Sequence, residues 1–112
     1  MTNNLTWQEF EKVEMRVGTI ITATEFPEAR NPSYILTIDF GEFGIKKSSA
    51  QVTDLYSIQD LIGKQVIAVT NFPKKQIATI QSECLVLGAV GDNKEVTLLS
   101  TDKHVKNGLR IG

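Results

Sequence analysis

Tyr34-Ile35-Leu36-Thr37-Ile38-Asp39-Phe40 alternates Tyr34, Leu36, Ile38 and Phe40 with Ile35, Thr37 and Asp39. A period of two is the signature of a strand with one buried face. Gly41-Glu42-Phe43-Gly44 follows with the glycines of a hairpin connection, and Ile45 to Gln51 returns as a second, much more polar strand. One face of that strand carries Lys47, Ser49 and Gln51, and the other carries Lys46, Ser48 and Ala50. At least one side is therefore expected to meet solvent or a ligand.

Upstream, Val13 to Phe26 is rich in Val, Ile and Thr and reads as a long strand, with Gly18 predicting a bend or bulge. Before it, Thr6 and Glu9 form a capping box and Leu5 and Phe10 a hydrophobic staple, so a short helix opens the fold. Met1 to Asn4 is expected to be loose. Pro27 and Pro32 bracket a polar loop holding Arg30. Downstream, Leu55, Ile58, Leu61 and Ile62 have near-helical spacing, with Ser57 and Asp60 as a second capping pair before Gly63. Lys64 to Asn71 and Cys84 to Val90 read as apolar strands, and Glu95 to Leu99 as another beyond an Asp92-Asn93 turn.

The chain is thus mainly β. Its order is that of the OB-fold, a five-stranded Greek-key barrel with a short helix between strands 3 and 4, here preceded by a short N-terminal helix. With 112 residues, 41% hydrophobic and 22% charged, the chain suits one domain whose core needs no disulfide or metal staple. No N-terminal segment joins positive charge to an apolar stretch, and no apolar run is long enough to span a bilayer. The single Cys84 lies in an apolar run and is expected to pack as a hydrophobe. These features predict a cytoplasmic protein without membrane insertion.

The formal net charge of -1 hides an uneven distribution. Residues 1–42 hold three basic against seven acidic groups, residues 43–82 five against two, and residues 83–112 four against four. A basic middle segment can present a local positive face that steers anions whatever the total charge. Catalytic chemistry has little to work with. His104 is the only histidine, no metal-ligand spacing or paired nucleophile accompanies it, and Gly88-Ala89-Val90-Gly91 is too short for a phosphate loop. A binding module with no enzyme activity, no metal and no cofactor is the expectation.

Met15-Arg16-Val17-Gly18-Thr19-Ile20, Phe26-Pro27-Glu28-Ala29-Arg30, Ile38-Asp39-Phe40-Gly41, the run Ile45 to Thr53, Gly63-Lys64-Gln65-Val66, Asn71-Phe72-Pro73 and Ser82-Glu83 carry a resemblance. Together they resemble the tRNA-binding OB domain family over about Phe10 to Gly112, and within it the CsaA-type secretion chaperones. Lys46-Lys47-Ser48-Ser49-Ala50-Gln51 is the most specific part. Two departures stand out: Ala29 is followed by Arg30-Asn31-Pro32-Ser33 rather than Asp-Lys-Leu, and Ser82-Glu83 by Cys84-Leu85 rather than Gly-Met.

The resemblance implies a single tRNA-binding-type OB domain over residues 1–112, a homodimer formed with both chain ends, and tRNA or other structured RNA as a partner. It also implies binding of unfolded or exported polypeptides. Trp7, Phe10, Leu109 and Ile111 would then lie near the partner protomer, burial in the protomer's own core being the alternative. For RNA, Lys46, Lys47, Lys74 and Lys75 would neutralise phosphates, Ser48, Ser49, Gln51, Asn71 and Ser82 would hydrogen-bond phosphate or ribose, and Phe72 would stack on a base. Asn71 and Ser82 also suit turn caps, and Phe72 the core. For a polypeptide ligand, Tyr34, Phe72 and Ile77 would supply apolar contacts.

Overall fold

The computed structural model describes residues 3–112, so part of the expected loose start, Met1 and Thr2, lies outside the described residues. Helix α1 (Trp7–Glu11) leads into β1 (Met15–Glu25), β2 (Tyr34–Asp39), a 3-10 turn (Gly41–Phe43) and β3 (Ile45–Ala50). Then come α2 (Ile58–Leu61), β4 (Gln65–Val69), β5 (Lys75–Ile77), β6 (Ile80–Ser82), β7 (Leu85–Val86), β8 (Gly88–Val90) and β9 (Val96–Leu98). Five of the strands form one antiparallel sheet in the order β3-β2-β1-β4-β7. The expected mainly β barrel of OB type, with a short helix between β3 and β4, is what the chain forms.

Strand β1 is long because it serves two halves of the barrel. Thr19 to Glu25 pair with β2, and Met15 to Thr19 pair with β4. The pairing with β2 slips between Ile20 and Thr22, so the bulge falls at Ile21 and not at Gly18. Gly18 has a different task. A Cβ there would lie 2.6 Å from Ile38 Cγ2 and 2.7 Å from the Phe40 ring, so only a bare Cα lets β1 pass over the packed core. That core is apolar: Ile20, Leu36, Ile38, Phe40, Leu61 and Val66 are fully buried.

Both helices begin as their capping boxes predict, with Thr6 and Ser57 each exchanging hydrogen bonds with the acid three residues on. Those bonds hold the Glu9 and Asp60 carboxyls below the usual carboxylate range. Leu61 carries α2 into the core, and the Tyr34 hydroxyl donates to the Tyr56 carbonyl at 2.8 Å, tying β2 to the segment before α2. At the other end, buried Gln65 anchors the C-terminal loop. Its amide nitrogen donates to the Val105 carbonyl at 2.7 Å and to Asn107 Oδ1 at 3.0 Å, while its Oε1 accepts the Val105 N–H at 3.1 Å.

One strand needs correction and one hairpin went unread. Cys84 to Val90 is not one strand, because Leu87 N–H bonds to the Ile67 carbonyl and the Leu87 carbonyl accepts the Leu99 N–H. The chain there leaves the barrel sheet, and β8 pairs with β9. The connection from Thr70 to Glu83 also contains a hairpin, β5 against β6, which the residues did not advertise. Its turn uses Ala78 at φ 47, with no glycine, asparagine or proline to mark it. Among the described residues no helix is long and apolar enough to cross a membrane.

Replacing Gly18 with alanine is expected to lower the unfolding free energy by about 1–3 kcal/mol, from the overlap with Ile38 and Phe40, measured as a shift of the urea midpoint at unchanged slope. Cys84 gives a pH prediction. Burial pushes its thiol up from 9.0 to about 11, against the smaller lowering by its hydrogen bond with Ser48. The folded value lies above the unfolded one, so the contribution is intact below pH 9 and is lost as pH rises towards about 11. Between those limits the difference in stability between the natural chain and Cys84→Ala should change by about 2–3 kcal/mol in that direction, read from urea unfolding at stepped pH.

Candidate functional site

The outward face of β3 and the β5–β6 hairpin form the two walls of a cleft of about 770 Å³. Ser49 and Gln51 line one wall. Lys74, Lys75, Gln76, Ile77 and Ser82 line the other, and Phe72, Pro73, Cys84 and Leu85 complete the lining. Strand periodicity explains the selection. Ser49 and Gln51 share one face of the chain, whereas Ser48 and Ala50 point into the barrel and are buried.

Six of the ten residues expected to contact RNA therefore converge: Ser49, Gln51, Phe72, Lys74, Lys75 and Ser82. Lys47 is exposed and lies on the Ser49 face, two residues away. Lys46 and Ser48 take the opposite face. Ser48 is 1% exposed and its hydroxyl donates to the Cys84 carbonyl at 3.0 Å, an internal bond that joins β3 to the start of β7. Asn71 is engaged as a clasp: its Oδ1 accepts the Glu14 N–H at 3.0 Å and its Nδ2 donates to the Lys12 carbonyl at 2.6 Å. Phe72 does not fill the core, being 56% exposed, because Phe40 and its aliphatic neighbours already occupy the interior.

Ser82 is shared between structure and cleft. Its Oγ accepts the Ser49 N–H at 3.3 Å and donates to the Cys84 carbonyl at 3.4 Å. Lys75 is the cross-strand neighbour of Ser82, and Lys74 Nζ lies 3.6 Å from Glu83 Oε2. Of the apolar residues expected to hold a polypeptide, Phe72 and Ile77 meet in this cleft. Tyr34 does not, since it lines a separate, smaller cleft with Phe26, Pro27 and Pro32.

The chain ends make another apolar feature. Leu5, Thr6, Trp7, Phe10 and Gly112 surround a cleft of about 420 Å³, with the Trp7 and Phe10 rings edge to face at 5.9 Å. Trp7 is 75% exposed and Leu109 48%. Ile111 is half-buried, its N–H donating to the Met15 carbonyl at 2.8 Å. Burial of Trp7 in its own protomer's core is thus set aside.

Sequence reasoning missed Pro73, Gln76, Cys84 and Leu85 as cleft residues and gave Glu83 no task. Cys84 and Leu85 lie in an apolar run that reads as core, yet Leu85 is 49% exposed because two-residue β7 sits at the sheet edge. Nothing in the residues around Glu83 announces its partners, which are 36 positions away in the case of Lys47. Among the described residues, no three His, Cys, Asp or Glu side chains gather as a metal-holding group.

The model of the putative tRNA binding domain family matches residues 15–110. The fold superposes on the chaperone CsaA of Bacillus anthracis with a TM-score of 0.93 and 46% identity, covering 97% of this chain and 99% of that one. The CsaA chaperone protein of Picrophilus torridus gives 0.91 and 45%, covering 97% and 100%. A methionine–tRNA ligase of Thermococcus kodakarensis is 32% identical over 107 residues, 96% of this chain and 14% of the ligase. This chain thus spans only a small part of the ligases it matches. It belongs to the putative tRNA binding domain family and, within that family, to the CsaA type.

Proposed function

We propose that this protein is a non-catalytic RNA-binding module that holds tRNA or another structured RNA in the cleft between β3 and the β5–β6 hairpin. The observation that carries this reading is the convergence of two lysines, two serines, two glutamines and an exposed phenylalanine in one cleft. Ammonium groups neutralise phosphates, hydroxyls and amides bond ribose and phosphate oxygens, and an accessible ring stacks on an unpaired base. The family model and the CsaA-type likeness support it.

The protein acts as a cytoplasmic homodimer in this proposal, the apolar cleft at the chain ends receiving a second copy. Two barrels related by a twofold axis present two cationic clefts at a fixed spacing, which selects for RNA shape rather than sequence. A second reading rests on the apolar part of the same cleft, where Phe72, Ile77 and Leu85 are accessible. It takes an unfolded or exported polypeptide as ligand, and the structural neighbours are described as chaperones.

Gel shifts with bulk tRNA decide between them. Affinity is expected to fall by roughly 0.7 to 0.9 log units per contacted phosphate for each decade of salt, and the Lys74→Ala/Lys75→Ala protein should bind about tenfold more weakly with a shallower slope. Equal retention by both proteins would remove the RNA reading, and polypeptide binding that ignores salt would support the second one. For the assembly, sedimentation of Trp7→Ala at micromolar concentration should show a shift from twice the protomer mass towards the protomer, because truncating a central aromatic weakens an interface by about 2 kcal/mol or more.

A further inference from the structure

Glu83 lies in the two-residue link between β6 and β7, next to Lys74 of the cleft. Its backbone N–H donates to the Lys47 carbonyl at 2.8 Å, and its Oε1 accepts the Lys47 N–H at 3.0 Å. The carboxylate is therefore fastened to β3 through both main chain and side chain. Its second oxygen, Oε2, faces Lys74 Nζ at 3.6 Å. The partners are unequal: the Glu83 side chain is 24% exposed and that of Lys74 64%. The acid is fixed and the lysine is the member free to move.

We infer that Glu83 is an internal counterion for Lys74, which a ligand phosphate must displace, and that this competition sets the anion affinity of the cleft. The inference deepens the RNA reading and rests on it for the identity of the ligand. At 3.6 Å the pair is longer than the 2.7–2.9 Å typical of a charge-assisted N–H···O bond, so phosphate held by Lys75 and Ser82 has room to bring Lys74 closer to itself. A fixed carboxylate beside a lysine of the cleft also repels any anion that arrives without drawing that lysine away, a repulsive device that favours specificity over raw affinity. Among the described residues the only other ion pair is Arg16 with Glu14, so Lys74 alone among the cleft lysines is neutralised in advance.

Glu83→Gln is the informative change, since it keeps an oxygen for the Lys47 N–H and removes only the charge. Titrated with inorganic phosphate and followed by amide NMR, Glu83→Gln is expected to bind about three- to fivefold more tightly than the natural chain. In a Lys74→Ala background at most half of that gain, in log units, should remain, because only simple repulsion is left to relieve. A gain of equal size in both backgrounds, no gain at all, or no phosphate binding by any of the proteins would overturn the inference. A second readout needs no change at Glu83. In the natural chain, phosphate should move the Glu83 carboxyl carbon and the Lys74 side-chain resonances together, and a shift at Lys74 with Glu83 unmoved would equally overturn it. A parallel tRNA gel shift separates the two claims. Tighter phosphate binding by Glu83→Gln with no tRNA retained by any protein upholds the counterion and sinks the RNA reading, whereas salt-sensitive tRNA binding that Lys74→Ala/Lys75→Ala weakens and Glu83→Gln leaves unchanged does the reverse.

Discussion

The return of the chain at Ser82 to Cys84 onto β3 is the constraint on which the site depends. Without it the sheet β3-β2-β1-β4-β7 is an open ribbon with a polar edge strand, exposing unpaired N–H and C=O groups. Glu83 pairs with Lys47 through its backbone and its carboxylate, Ser82 takes the Ser49 N–H, and Ser48 bonds the Cys84 carbonyl. Three successive residues of β3 are thereby satisfied by three successive residues of the return. The same contact closes the barrel and sets the hairpin opposite the outward face of β3, so closure and the cleft are one event.

The chain's physics made much of this readable. Alternation from Tyr34 to Phe40 exposes β2 because Leu36, Ile38 and Phe40 on one face are fully buried and half-buried Tyr34 continues it, and the Thr6 and Ser57 boxes mark both helices because orphan helix N–H groups need partners close in sequence. Where a residue's role depends on distant partners, the reading lost its way. Gly18 reads as a bend, but its reason is the Ile38 and Phe40 side chains across the sheet. Asn71 reads as a ligand donor or turn cap, but its amide joins the Lys12 carbonyl to the Glu14 N–H.

Basic residues were legible as a group, and the period of two already puts Lys47 on the Ser49 face and Lys46 on the other. Which of those two faces turns inward is decided by how β3 packs against its neighbours, where Ser48 and Ala50 are buried. The β5–β6 hairpin was invisible for a related reason: a turn through Ala78 carries no residue of turn-forming type, and its strands are three residues long. Short strands whose stability comes from the contact with β3 have no strong local signal to give.

That dependence bears on how the cleft handles its ligand. A two-stranded hairpin is marginal on its own, and this one offers the barrel only the half-buried Ile77 and Ile80 and a row of polar links at Ser82 and Glu83. Its tip, with Gln76, Ala78 and Thr79, is exposed. One wall of the cleft, β3, is thus part of a rigid sheet, while the other is anchored along one edge and free along the opposite one. Ligand-gripping segments are drawn from the less stable parts of a fold, and here the less stable wall carries both cleft lysines. In the RNA reading, a phosphate in the cleft would meet Lys74 and Lys75 on this less stable wall, while the Ser49 hydroxyl and the Gln51 amide approach it from the sheet side.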